Sequence, residues 1–385
     1  MKRTICIIIF LLLIPSISMG EGDVRDLLVE EQLDLFNTHE LEKLIEEVLR
    51  ENNLVKGINF REALTRLIKG EKAFDSKEIT KALGTVLLNE VKINFGFLSK
   101  ILVITLISAI LTNLQGTFEN STVSSLANYV TYMVIAILII GSFNQLMDVV
   151  KDNINLMVSF MEILLPILLT FLIIAGGPST KLLFHPMIIG VVNIIGVLVK
   201  SLIFPLIYFS FIVSILSNLS QRIELKKLTE LGRQVITFVI TAVFTIFVGI
   251  ISIYGLSTKI DGISIRTAKF AVDQFVPIVG GFLSDAVETV IGSSAILKNG
   301  IGIIGLFILI LIIIFPIIKI TVLLLVYKLI GAVIEPIVSS NISNFFSDMS
   351  KTLLMILISM VAVGIMFFIT ITIIVDTGNS LLMLR

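Results

Sequence analysis

Residues 301–330, IGIIGLFILILIIIFPIIKITVLLLVYKLI, decide the fold class. Lys319 and Lys328 are the only charges in the stretch. Eighteen or more apolar residues with almost no charge read as a membrane-crossing helix. A span therefore covers 301–318 or longer, and the whole stretch is either one tilted helix or a hairpin turning near Lys319. Moving outward, the same reading marks 98–114, 126–147, 154–175, 183–199, 201–219, 235–255 and 353–375. The total is about eight. The expected fold is all-α, a polytopic helical membrane protein with a small helical N-terminal domain.

Composition agrees with that pattern. The chain has 385 residues, 56% of them apolar and 15% charged, and a mean hydropathy of +1.04. An ordinary soluble domain carries about 25% charged residues. A soluble globular enzyme, a disordered chain and a nucleic-acid binder with a basic face are excluded. Basic and acidic side chains number 29 each, so net charge says nothing about partners. Their placement is informative. Residues 21–97 hold 11 basic and 16 acidic residues, 27 of the 58 charges, and residues 98–385 hold another 29.

The first twenty residues follow the order of a secretory signal peptide. Lys2 and Arg3 precede the apolar run Ile5 to Ile14, then Pro15, with Ser18 and Gly20 before the expected cleavage point. An uncleaved anchor is the other reading, and either one exports the next segment. Cys6, the only cysteine, lies in that apolar run, so disulfide and thiol chemistry are excluded from the mature chain.

Residues 21–97 read as an exported helical domain. Asn37 and Glu40 form a capping pair ahead of Leu41, Leu44, Ile45, Val48 and Leu49, which share one helical face. A second helix opens at Asn59 with Glu62, carries Phe60, Leu64, Leu67 and Ile68, and ends at Gly70. Asp75 and Glu78 open a third that leads into the first span. The apolar stripes either pack together or dock elsewhere, and the small size of the segment favours docking. If this domain is outside, alternating spans place 220–234 in the cytoplasm, where Arg222, Lys226, Lys227 and Arg233 satisfy the positive-inside rule.

The segment between the first six spans (98–255) and the last ones (301–385) differs from both. Residues 256–300 mix Arg266, Lys269, Asp285 and Glu288 with dispersed apolar residues. They read as amphipathic or re-entrant helices at the interface, or as an ordinary loop. Arg266 and Lys269 share one helical face and Asp285 and Glu288 another, which makes these four the candidate functional surface. Glu162, four residues before Pro166 within a span, is the candidate intramembrane charge. Such a residue lines a path or pairs within the bundle. The strings around Pro205 and Pro316 are similar, with Lys200 and Lys319 nearby, as broken-helix repeats would be, although lysines near helix ends also snorkel.

No motif carries chemistry. Gly300-x-Gly302-x-x-Gly305 matches a dinucleotide fingerprint literally but lacks its strand, so close helix packing explains it. His39 and His185 have no partner cluster, and no catalytic serine motif or phosphate-binding loop is present. No cofactor, metal or catalytic residue is expected.

The central stretch resembles a known family. Its residues are Asp261-Gly262-Ile263-Ser264-Ile265-Arg266-Thr267-Ala268-Lys269-Phe270, then Phe275-Val276-Pro277-Ile278-Val279-Gly280-Gly281 and Ser284-Asp285-Ala286. Thr289-Val290, Leu297-Lys298-Asn299-Gly300-Ile301-Gly302, Phe315-Pro316-Ile317-Ile318-Lys319, Tyr327-Lys328-Leu329 and Glu335-Pro336 follow. This pattern is similar to the stage III sporulation protein AE family of endospore-forming Firmicutes. The resemblance implies a sporulation role in a membrane complex with companion stage III proteins, including ring-forming components and a secretion-type ATPase. It implies a channel between mother cell and engulfed forespore that sustains late forespore gene expression, and a place in the outer forespore membrane. The competing reading is a stand-alone permease for a small metabolite, motivated by Glu162 and the proline-interrupted spans. Membrane lipid is the expected surroundings in both, and nucleic acid is not an expected partner.

Overall fold

A helix satisfies its own backbone hydrogen bonds, so apolar runs of this length are stable in lipid as helices without a sheet partner. The computed structural model describes residues 38–51, 60–73, 76–115, 121–174, 178–219, 225–275, 280–338 and 340–383. Its elements are α1 (His39–Glu51), α2 (Phe60–Ile68), α3 (Ser76–Gln115), α4 (Ser121–Ile174), α5 (Pro178–Leu198), α6 (Phe204–Leu219), α7 (Lys226–Phe275), α8 (Gly280–Ile334) and α9 (Ser340–Met383). Among the described residues there is no strand. The expected signal peptide, residues 1–20, lies outside the described residues.

Five stretches are long and apolar enough to cross a membrane: Tyr129–Ile174, Pro186–Leu219, Lys226–Ile253, Val290–Ile334 and Ser340–Asp376. The sequence suggested more because it split continuous helices. The expected span 126–147 and residues 154–174 of the next lie within α4, 54 residues without a break. Residues 301–330 lie within α8, with Pro316 in the helix and no hairpin at Lys319. The spans 183–199 and 201–219 form one column, in which a π-helical turn, Val199–Ile203, joins α5 to α6. Pro205 explains that turn. It has no N–H for the carbonyl four residues back, its ring crowds that carbonyl, and a wider turn relieves both. Pro316 sits in plain α-helix, so the two similar proline strings do not share a local structure.

The long helices run alternately up and down. α8 packs most extensively on α9, and also on α4 and α3, while α7 packs on α6 and α9. At one end, Tyr132 of α4 donates to the Ile215 carbonyl of α6 at 2.6 Å, and its ring lies 5.1 Å from Phe345 of α9. At the other end, Leu64 of α2 lies against Gly300 of α8. The stretch of α8 from Gly300 to Ile334 separates these ends by about 50 Å at 1.5 Å per residue.

The short N-terminal helices do not build a core of their own. Leu41, Ile45, Val48, Leu49, Phe60, Ala63 and Leu64 are buried in the cluster that also holds the bundle residues. Gly70 ends α2 as expected, at φ +76 with its N–H on the Leu67 carbonyl and the Glu71 N–H on the Arg66 carbonyl. The Gly-x-Gly-x-x-Gly run packs helices closely. A Cβ at Gly300 would meet Leu64, one at Gly302 would meet Val375 and one at Gly305 would meet Leu164, so each glycine serves a different neighbour.

Candidate functional site

Charges that read as a break between two spans instead form part of one polar face. On α4, Gln145, Asp148, Asp152, Asn155, Ser159 and Glu162 are all exposed. Their spacing alternates between three and four residues, which keeps them on one side of the helix. The stripe is about 25 Å long at 1.5 Å per residue. Glu162 is its far end, and Pro166 has no N–H to offer the Glu162 carbonyl, so main chain and side chain are both polar there. The glutamate is thus the terminus of an ordered row.

Two lysines edge the stripe. Lys200, in the π turn, donates to Asn155 Oδ1 at 2.9 Å. Lys151 lies 3.9 Å from Asp148 Oδ1, 3.5 Å from the Tyr208 hydroxyl and 5.1 Å from the centre of that ring. Asp152 and Glu162 have no ion pair among the described residues.

Apolar residues of other helices are exposed at the same heights as the stripe. Lys200 against Asn155, Gly196 against Val158 and Phe211 stacked on Phe143 place residues 143–158 of α4 beside residues 196–211. At that height the α5–α6 column exposes Val197, Leu202 and Phe209. On α8, Gly305 meets Leu164, and the Tyr327 and Ser142 hydroxyls are hydrogen-bonded. Between those points α8 exposes Ile310 and Leu325. At these heights α3 is also polar, since its Phe97 lies 5.8 Å from Tyr327 and the turns before it expose Lys81 and Lys92. On the opposite side of α4 the interior is filled by Leu146, Val150, Ile154, Met157 and Met161, all buried.

A second polar cluster ties helix starts together. Arg233 of α7 donates to Asp348 Oδ1 through both terminal nitrogens at 3.3 Å and to the Asp348 carbonyl at 3.0 Å. Asn218 of α6 donates to the other carboxylate oxygen at 3.0 Å. Lys226, Thr229, Glu230, Asn344, Ser347 and Lys351 surround this pair in a shallow cleft. Toward the other end, buried Lys298 of α8 donates to the Val375 carbonyl at 2.7 Å.

The four residues expected to form a functional surface fall elsewhere. Arg266 and Lys269 lie in the last part of α7, and Asp285 and Glu288 in the first turns of α8. Residues 256–275 and 280–300 fall within these two long helices. The side chains of these four lie outside the described residues. Sequence reading missed Arg233 with Asp348, which are 115 positions apart and carry no local signal. It also missed the α4 stripe, whose spacing was visible from Gln145 to Glu162. Among the described residues no group of three or more His, Cys, Asp or Glu could hold a metal.

The comparisons with known proteins agree with one another. The family described as stage III sporulation protein AE matches residues 58–378. The stage III sporulation protein AE of Bacillus subtilis (strain 168) is 36% identical over 324 residues, 84% of this chain and 81% of that protein. No solved structure matches.

Proposed function

The chain belongs to the stage III sporulation protein AE family, and on that premise we propose that it is a membrane component of a channel complex joining the mother cell to the engulfed forespore. A sporulation role follows from the family; the channel is our reading. In it the protein sits in the mother-cell-derived outer forespore membrane. It works with ring-forming stage III proteins and a secretion-type ATPase to support late forespore gene expression.

One observation supports a component over the stand-alone permease. The bundle interior is packed with apolar side chains, and the polar row of α4 faces outward. A permease acting alone needs its polar groups around an internal route, near the middle of the membrane. Here the hydrophilic surface is useful only when something lies beside the chain.

The arrangement also revises the number of crossings. We take α3, whose Phe97 lies against Tyr327 of α8, as a further crossing beside the five apolar stretches, which gives six crossings in place of about eight. The difference is even, so on this reading the segment before α3 remains outside and 220–234 remain cytoplasmic. Capture of the tagged protein from sporulating cells tests the assignment: companion stage III proteins should come with it. Saturable solute flux by the purified chain alone in liposomes would favour the permease instead.

A further inference from the structure

We propose that the cleft between the starts of α7 and α9 binds the headgroup of an aminophospholipid, a phosphodiester that carries a primary amine. On α7, Lys226, Glu230 and Arg233 follow one another at four and three residues, which keeps them on one face. On α9, Ser347 and Asp348 lie about one turn before Lys351, on the side that lines the same cleft. The space between the two faces is about 180 Å³, room for a phosphate and a short amine arm.

Floor and rim differ in charge balance. The floor is closed upon itself: Arg233 and Asp348 are paired, and Asn218 takes the other carboxylate oxygen. One donor is left over, since Arg233 Nε is buried without a partner. A buried donor without an acceptor is costly, and an oxygen entering the cleft supplies one. The rim is open. Lys226 and Glu230 sit one turn apart, both exposed, and form no ion pair among the described residues. Lys351 is 55% exposed and comes no nearer than 3.9 Å to Asp348 Oδ1. The rim thus offers two ammonium groups and one carboxylate.

That set selects its ligand by exclusion. A plain anion meets the lysines but also Glu230, which repels it. A choline headgroup has the phosphate, but its quaternary nitrogen has no hydrogen to donate to Glu230. A phosphodiester with a primary amine satisfies all three. Its phosphate lies between Lys226 and Lys351, within reach of Arg233 Nε, and its ammonium donates to Glu230. Basic pockets between membrane helices hold lipid headgroups in this way. Exposed Leu228 and Leu231 of α7 and Leu354 of α9 adjoin the polar faces, so acyl chains have apolar surface to lie on.

Binding by the purified full-length chain in detergent tests this. Phosphatidylethanolamine, phosphatidylcholine and phosphatidylglycerol with the same acyl chains are titrated separately and read by native mass spectrometry. Phosphatidylethanolamine should bind tightest. Lys226→Gln and Lys351→Gln should each weaken it about fivefold, the scale of one exposed charge pair. Glu230→Gln should weaken phosphatidylethanolamine by a similar factor while strengthening phosphatidylglycerol, a reversal that a merely structural role would not give. Lys69→Gln, at the far end of the molecule, should change neither. All four side chains are exposed, so the variants should keep the parent melting temperature without lipid. Equal affinity for the three lipids overturns the proposal, and so does a preference of the unaltered chain for phosphatidylglycerol. Glycerophosphoethanolamine, the same headgroup without acyl chains, separates the two sources of this chemistry. Binding as tight as that of the lipid overturns the lipid assignment in favour of a soluble ester, and binding many-fold weaker supports the lipid.

Discussion

Arg233 and Asp348, 115 positions apart, bind through both guanidinium arms, and Asn218 takes the remaining carboxylate oxygen. Both side chains are largely buried, at 11% and 16% exposure. Removing one partner of such a pair leaves an uncompensated charge and costs about 3–5 kcal/mol. Asp348→Ala should therefore lower the melting temperature of the purified protein in detergent and reduce its level in the membrane. The double variant Arg233→Met/Asp348→Leu should recover much of that loss. A melting temperature unchanged in Asp348→Ala would show that the pair does not hold the start of α7 to α9.

Helix contacts at glycine can be separated by position. Gly305 faces the flexible end of Leu164, so Gly305→Ala should be mild, whereas Gly305→Leu should overpack the interior by about 1–3 kcal/mol. Gly300 faces Leu64 of α2 instead. Gly300→Leu should loosen α1 and α2 and speed proteolysis of residues 21–73, while the bundle melts near its normal temperature. Limited proteolysis of both leucine variants distinguishes these outcomes.

Topology follows from the two ends of the bundle. The α2 contact at Gly300 and the Arg233–Asp348 pair, which is level with about the last turn but one of α8, lie about 45 Å apart along the bundle. With residues 21–97 exported, Lys56→Cys should react with an impermeant thiol reagent in intact protoplasts and Lys226→Cys should not. The reverse pattern would invert the protein.

The surface of Arg266, Lys269, Asp285 and Glu288 is a separate proposal. Arg266→Ala or Asp285→Ala should leave membrane levels intact and lower the yield of heat-resistant spores. A charge-swapped Arg266→Asp/Asp285→Arg chain should regain part of that yield if the opposed faces pair. Full sporulation in both alanine variants would assign these charges to a solvated surface.

The all-helical fold was legible because Ile301 to Ile330 leaves few alternatives in lipid. The end of α2 at Gly70 was also legible, since a positive φ at the residue after a helix favours glycine. Helix number was not. Asp148, Lys151 and Asp152 lower the local hydropathy enough to suggest a loop, but averaging along the chain discards direction around it. In α4 those charges stand on one side while Leu146, Met147 and Val150 stay buried on the other. Long-range partners such as Arg233 with Asp348 leave no trace in spacing, because helix order in space sets their encounter.

The π turn before α6 has a consequence for descent as well as for shape. Phe204 donates its N–H to the Val199 carbonyl, five positions back, so the column gains one residue and its phase shifts by about 100°. Upstream, Ile188, Val192, Ile195 and Val199 are buried. Uninterrupted, that beat would continue inward through Leu202, Phe209 and Leu216. Those three are exposed, and Ile203, Ser210 and Ser217 are buried in their stead, each one position later. A deletion of one residue between Val199 and Ile203 would reset the phase and exchange these two sets along half the column. Relatives of this chain are thus expected to tolerate many substitutions through the turn while keeping its length.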